Sequence, residues 1–179
     1  MTKIALALAC LIGTAPLAQA QDATSDPWSP LRFLVGEWRG AITGEQGTGM
    51  MTRRYRLILS GEFLQERSMA NFPPQPQNTD GAVFNYASFL RYDRTRKAFL
   101  FRQFHQEHVN GTFIFSTTQS HPTRVVFESV QLDNAPATWK ARETLDVISA
   151  DEYVETFETA DGDKPFTVRS RIQFKRRLP

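Results

Sequence analysis

From residue 36 onward, apolar and polar positions alternate with a period of two, the spacing of a half-buried strand. Tyr55, Leu57 and Leu59 alternate with Arg54, Arg56 and Ile58. Near the C-terminus Phe166, Val168, Ile172 and Phe174 are expected on one face, opposite Thr167, Arg169, Arg171 and Gln173. Further strands are predicted around Trp38 and Gly40 and over residues 63–70, 87–92, 98–108, 112–119, 124–131, 138–148, 152–158 and 165–176. Turn residues punctuate them: Ser60-Gly61, Asp93 to Lys97, Asn110-Gly111 and Asp161-Gly162-Asp163. The Gly-rich stretch 44–49 reads as a hairpin turn, because neither a helix nor a Lys-Ser/Thr pair follows it to cradle a phosphate. One helical start stands out. Ser29 is placed to cap and Pro30 to take the first helical position, so Leu31 to Val35 should form a short turn ending at Gly36. Residues 72–85, with three Pro, are expected as a long loop and a candidate flap.

About ten short consecutive strands joined by tight turns predict an all-β, up-and-down antiparallel β-barrel with a short N-terminal helical turn, in which closure removes exposed edges. The chain of 179 residues suits one domain, here residues 29–179. Residues 1–20 read as a secretory signal peptide. Lys3 supplies the positive start, Ile4 to Ile12 the apolar stretch, and Ala18-Gln19-Ala20 the cleavage site. Residues 21–28 read as a flexible lead-in. The expected address is periplasmic or secreted, and cleavage near Ala20 would remove Cys10, the single cysteine.

The formal net charge of +2 predicts no nucleic-acid partner. No apolar run is long enough for stable membrane insertion as a helix. One Cys and three His leave little for a metal site. No nucleophile elbow, P-loop or H-E-x-x-H occurs, so no catalytic residue is assigned.

His105 shares a strand face with Phe99, Phe101 and Gln103, which points it at the apolar interior as a candidate heme or metal ligand. His108 lies on the opposite face, beside a turn. His121 precedes Pro122 in a turn. Arg102, Arg142 and Arg169 recur within strands. Pointing inward, they would pair a ligand carboxylate. Pointing outward, they would form a salt-bridge ladder with Glu66, Glu128, Glu143 and Glu155. The second arrangement is the one expected. No carboxylate is isolated in a way that predicts a raised pKa. Fourteen Phe in the chain, Phe89, Phe99, Phe101, Phe104, Phe113 and Phe115 among them, are expected as core or pocket wall. Lys175-Arg176-Arg177 is expected as a solvated end.

Leu31 to Gly40, with its Gly36-Glu37-Trp38 at the domain start, resembles the calycin superfamily: lipocalins, fatty-acid-binding proteins and nitrobindin-like heme-binding barrels. Residues 100–105, Val109-Asn110, Phe127-Glu128-Ser129 and residues 139–144 are similar to a bacterial, uncharacterised branch of that group. The resemblance implies an internal cavity taking a small apolar molecule, heme or a fatty acid. His105, Arg102, Phe101, Gln103 and Arg142 are the candidate contacts. It also implies a Trp38 packed under Arg169 or Arg171 of the last strand. The nitrobindin pattern implies heme-dependent detoxification of nitrogen oxides through a His near the C-terminal strands, but residues 166–179 contain none. A barrel filled by its own side chains, acting through its surface, is the third expectation.

Overall fold

A computed structural model describes residues 26–106 and 110–177. The signal peptide, most of the lead-in and His108 lie outside them. A 3-10 turn at Arg32–Leu34 precedes ten strands. These are β1 (Gly36–Gly44), β2 (Gly47–Ile58), β3 (Phe63–Phe72), β4 (Ala82–Asp93), β5 (Ala98–His105), β6 (Asn110–Phe115), β7 (Arg124–Asp133), β8 (Trp139–Ser149), β9 (Glu152–Asp161) and β10 (Thr167–Arg176). Each strand pairs antiparallel with its neighbours in sequence, and β1 pairs with β10 to close the barrel. The expected up-and-down barrel is the fold observed.

Alternation explains the two faces. On β2, Met51, Arg53 and Tyr55 are buried, while Thr52, Arg54 and Arg56 between them face outward. Closure needs close approaches: a Cβ at Gly40 would lie 2.7 Å from both the Gln173 carbonyl oxygen and Ile172 Cγ2, and one at Gly44 would lie 2.6 Å from the Arg169 carbonyl oxygen, so glycine at both positions lets β10 sit this near β1.

One end is sealed. Trp38 is fully buried, and its indole N–H donates to the Leu34 carbonyl at 2.7 Å. Tyr153 lies edge-on to it at 4.8 Å and stacks on Phe174 at 4.9 Å. An arginine of the last strand does lie over Trp38, but it is Arg176, 4.2 Å from the ring, not Arg169 or Arg171. Arg176 also donates to the carbonyls of Phe33, Val35 and Ala150. It is therefore a clamp and not a solvated end. Above this plug Phe101, Phe113 and Phe127 pack ring to ring across β5, β6 and β7.

Several local expectations are corrected. Leu31, not Ser29, occupies the cap position, and no side chain caps the turn. Trp28 belongs to the core and not to the lead-in, because its indole N–H donates to Gly61 O at 2.8 Å and its ring meets Phe99. Asn110-Gly111 opens β6 instead of forming the hairpin turn. The loop after β3 spans only 73–81, and Gln75 fastens it to the Thr48 backbone through its own amide. A bulge at Arg169 shifts the register of β10, so Val168 faces out while Ile172 and Phe174 face in. Phe166 packs on Arg142, away from those two. Phe89 and Phe104 pair with each other on the outer face, where Phe104 is 38% exposed.

Candidate functional site

The inward face of the upper barrel carries charge where a simple core would carry Leu or Val. Arg53 falls between Met51 and Tyr55, Glu66 between Leu64 and Ser68, Glu143 between Ala141 and Leu145, and Glu155 between Tyr153 and Phe157. Each occupies an inward position of its strand, so the alternation that builds the wall also aims these side chains at the lumen. Arg53 is 7% exposed and the three glutamates no more than 5%.

Arg53 organises two of the carboxylates. Its Nη2 donates to Glu155 Oε1 at 3.0 Å, and its Nη1 donates to Glu155 Oε2. Its Nε lies 3.1 Å from Glu66 Oε1. The guanidinium also lies 4.6 Å over the Phe174 ring. Glu66 accepts further hydrogen bonds from Ser68 Oγ at 2.6 Å and from Ser88 Oγ. The bidentate fork onto Glu155 and the ion pair to Glu66 compensate the buried guanidinium charge, while its Nε makes no hydrogen bond.

Glu143 is placed differently. Its Oε2 accepts from Gln103 Nε2 at 2.5 Å, and no Lys, Arg or His among the described residues forms a salt bridge with it. Burial holds its carboxyl well above the usual carboxylate range. Glu155 and Glu66 push the same way, while Arg53 and the Gln103 amide only partly offset them. Burial likewise raises the Tyr55 and Tyr153 hydroxyls, so both stay neutral.

These groups surround a chamber of about 220 Å³. It adjoins an apolar vestibule of about 300 Å³ walled by Phe113, Leu132, Trp139, Ala141 and Phe157. Gln103, His105 and Phe157 line both spaces. At the mouth, Arg169 pairs with Glu45 of the β1–β2 turn and donates to Thr159 Oγ1 at 2.6 Å.

The predicted contacts divide accordingly. His105 and Gln103 face the lumen as expected. The His105 ring sits edge-on to Tyr86 at 4.8 Å, with Nε2 3.5 Å from Gln103 Oε1. Phe101 faces inward one step deeper and is buried in the aromatic packing below the chamber. Arg102 and Arg142 are not lumen residues. Arg102 pairs with Asp133 and lies over Phe104, and Arg142 pairs with Glu158 on the outer wall. The outer ladder expected for the glutamates fails for Glu66, Glu143 and Glu155, all of which point inward, and Glu143 carries the raised pKa that no carboxylate was expected to have. Arg53 had no predicted role. Its signal was its parity with Tyr55 on an apolar face. His121 bridges to Arg124 in a turn and is exposed.

No protein-family model matches this chain, and no curated protein matches it. Among solved structures, it is similar to the crystal structure of Rv2717c from M. tuberculosis, with a TM-score of 0.60, 12% identity, and coverage of 86% of this chain and 99% of that one. A redesigned β-barrel and a de novo designed fluorescence-activating β-barrel each align at a TM-score of 0.43 and 13% identity, over 82% of this chain and 94% and 95% of theirs. At these identities the likeness concerns the fold: a closed ten-strand antiparallel β-barrel with structural neighbours.

Proposed function

We propose that this protein is an exported, calycin-like barrel that binds a small amphiphilic molecule in the open half of its lumen. The observation that carries the reading is the junction of two unlike spaces, a polar chamber and an apolar vestibule that share Gln103, His105 and Phe157. Pockets that orient a ligand combine apolar walls with a few placed polar groups. Here the polar groups lie deepest, so the ligand enters head first and leaves its apolar part against Trp139 and Leu132.

A purely apolar ligand would strand the chamber's polar groups without partners. A fatty acid would bring a carboxylate against three glutamates and an arginine already engaged by two of them. Heme fits poorly for related reasons. His105 is the nitrogen donor available, but its ring packs against Tyr86 and Gln103. Arg102 and Arg142, expected to meet ligand carboxylates, face outward. No chemistry routed through iron follows from these residues, and the detoxifying enzyme is not carried forward.

The test uses Trp139, which borders the vestibule while Trp28 and Trp38 are buried at the far end. Titration with octanol, octylamine and octanoate should give a saturable change in tryptophan fluorescence for octanol or octylamine, lost in Trp139→Phe. No saturable response to any of the three, by fluorescence or thermal shift, overturns the reading.

A further inference from the structure

The chamber holds three carboxyl groups against one guanidinium, and the guanidinium is spent on two of them. Glu143 is left without a counter-ion. The residue is only 4% exposed and lines the chamber; its Oε2 accepts from Gln103, and no described residue donates to its Oε1, which faces the chamber space. A carboxyl oxygen that faces a cavity with no protein donor on it is a place where a ligand's donor fits. Ser68 and Ser88 donate to Glu66, and Gln103 donates to the other oxygen of Glu143.

We propose that the chamber is a site for a monocationic head group, such as a primary ammonium, which docks on Glu143 while that carboxyl releases its proton to solvent. This deepens the amphiphile reading and rests on it. The head exchanges one positive charge, the proton, for another, the ammonium, so the buried net charge stays the same and no uncompensated ion is created. The carboxyl's raised affinity for its proton fits this exchange, because the proton serves as counter-ion until a better one arrives. The vestibule then accommodates the apolar remainder, so the preferred ligand is an alkyl or aryl amine rather than a bare metal ion. No grouping suited to a metal occurs among the described residues.

The groups that face Glu143 from other strands determine how the exchange depends on pH. Arg53 on β2 and Glu66 and Glu155 on β3 and β9 form the paired set beside it. Tyr55 and Tyr153 stay neutral through the working range. His105 and Tyr86 complete the wall on β5 and β4. On the acid side of the Glu143 titration, each pH unit upward should raise ammonium affinity about tenfold.

The experiment is isothermal titration calorimetry of the mature protein with octylamine, octanol and octanoate. Each is run at pH 7 in buffers of differing ionisation enthalpy. The expected result is octylamine bound at least tenfold more tightly than octanol, with a net release of protons on amine binding. Glu143→Gln should abolish the release and weaken octylamine about tenfold, whereas His105→Gln should keep it. The wild-type proton count stands even if the Glu143 variant does not fold. Octanol binding as tightly as octylamine, octylamine binding with no proton released, or release lost in His105→Gln and kept in Glu143→Gln overturns the proposal and leaves the amphiphile reading standing. Binding of none of the three overturns both.

Discussion

Glu143 shows what one inward position can do. On β8 it falls between Ala141 and Leu145, where a Leu would extend the core. Burial raises its folded pKa above the unfolded value near 4.5, so the native state holds the proton more tightly than the unfolded chain does. The stability this contributes is complete below about pH 4 and is lost as pH rises through the folded value. Glu143→Gln stays neutral throughout and keeps an oxygen for the Gln103 amide. The variant should therefore match wild type at pH 4 and exceed it at pH 8 by on the order of 1–3 kcal/mol. Urea denaturation at the two pH values measures this, and a gap that does not widen with pH contradicts it. The sequence does set carboxylates two residues from apolar neighbours, in Ala141-x-Glu143-x-Leu145 and Tyr153-x-Glu155-x-Phe157, yet the expectation it supports is an outer salt-bridge ladder. What the pattern lacks is the sign of each face where both carry charge.

At the scale of elements, β10 decides how the barrel closes. Its C-terminal half follows the expected alternation, with Ile172 and Phe174 buried, but the bulge at Arg169 reverses the faces before it. An inserted residue leaves the period intact on either side, which is why no pattern of hydrophobicity reveals it. Arg176 joins the end of this strand to the 3-10 turn through two carbonyls and to the β8–β9 turn through a third, while covering Trp38. Arg176→Ala should cost about 1–2 kcal/mol, because three backbone carbonyls, exposed or half-buried, lose a charged donor and the indole loses its cover. Arg176→Lys should recover little of it, since an ammonium cannot span the same set of acceptors. Thermal melts of both variants decide the matter, and a lysine variant as stable as wild type would falsify the clamp.

For the molecule as a whole, closure sorts arginines that look alike in sequence. Arg102 and Arg142 sit on the outer wall with Asp133 and Glu158. Each should be replaceable by Gln with a stability change of about 1 kcal/mol or less. Octylamine and octanol affinities should stay within about twofold of wild type, as read by the same calorimetry. A large loss in either variant would move the site to the outer face. The strand count, the hairpin order, most turns and the inward aim of His105 and Gln103 follow from the sequence by itself. They depend on neighbours one to four residues apart, where backbone geometry alone sets the period and the turn. The charged chamber is a tertiary property. Arg53 and Glu155 lie 102 residues apart, and only the closed barrel brings β2, β3, β8 and β9 around one space. Whether a strand glutamate becomes a solvated surface charge or a buried acid without a counter-ion depends on what the other strands carry opposite it, and sequence spacing holds no record of that.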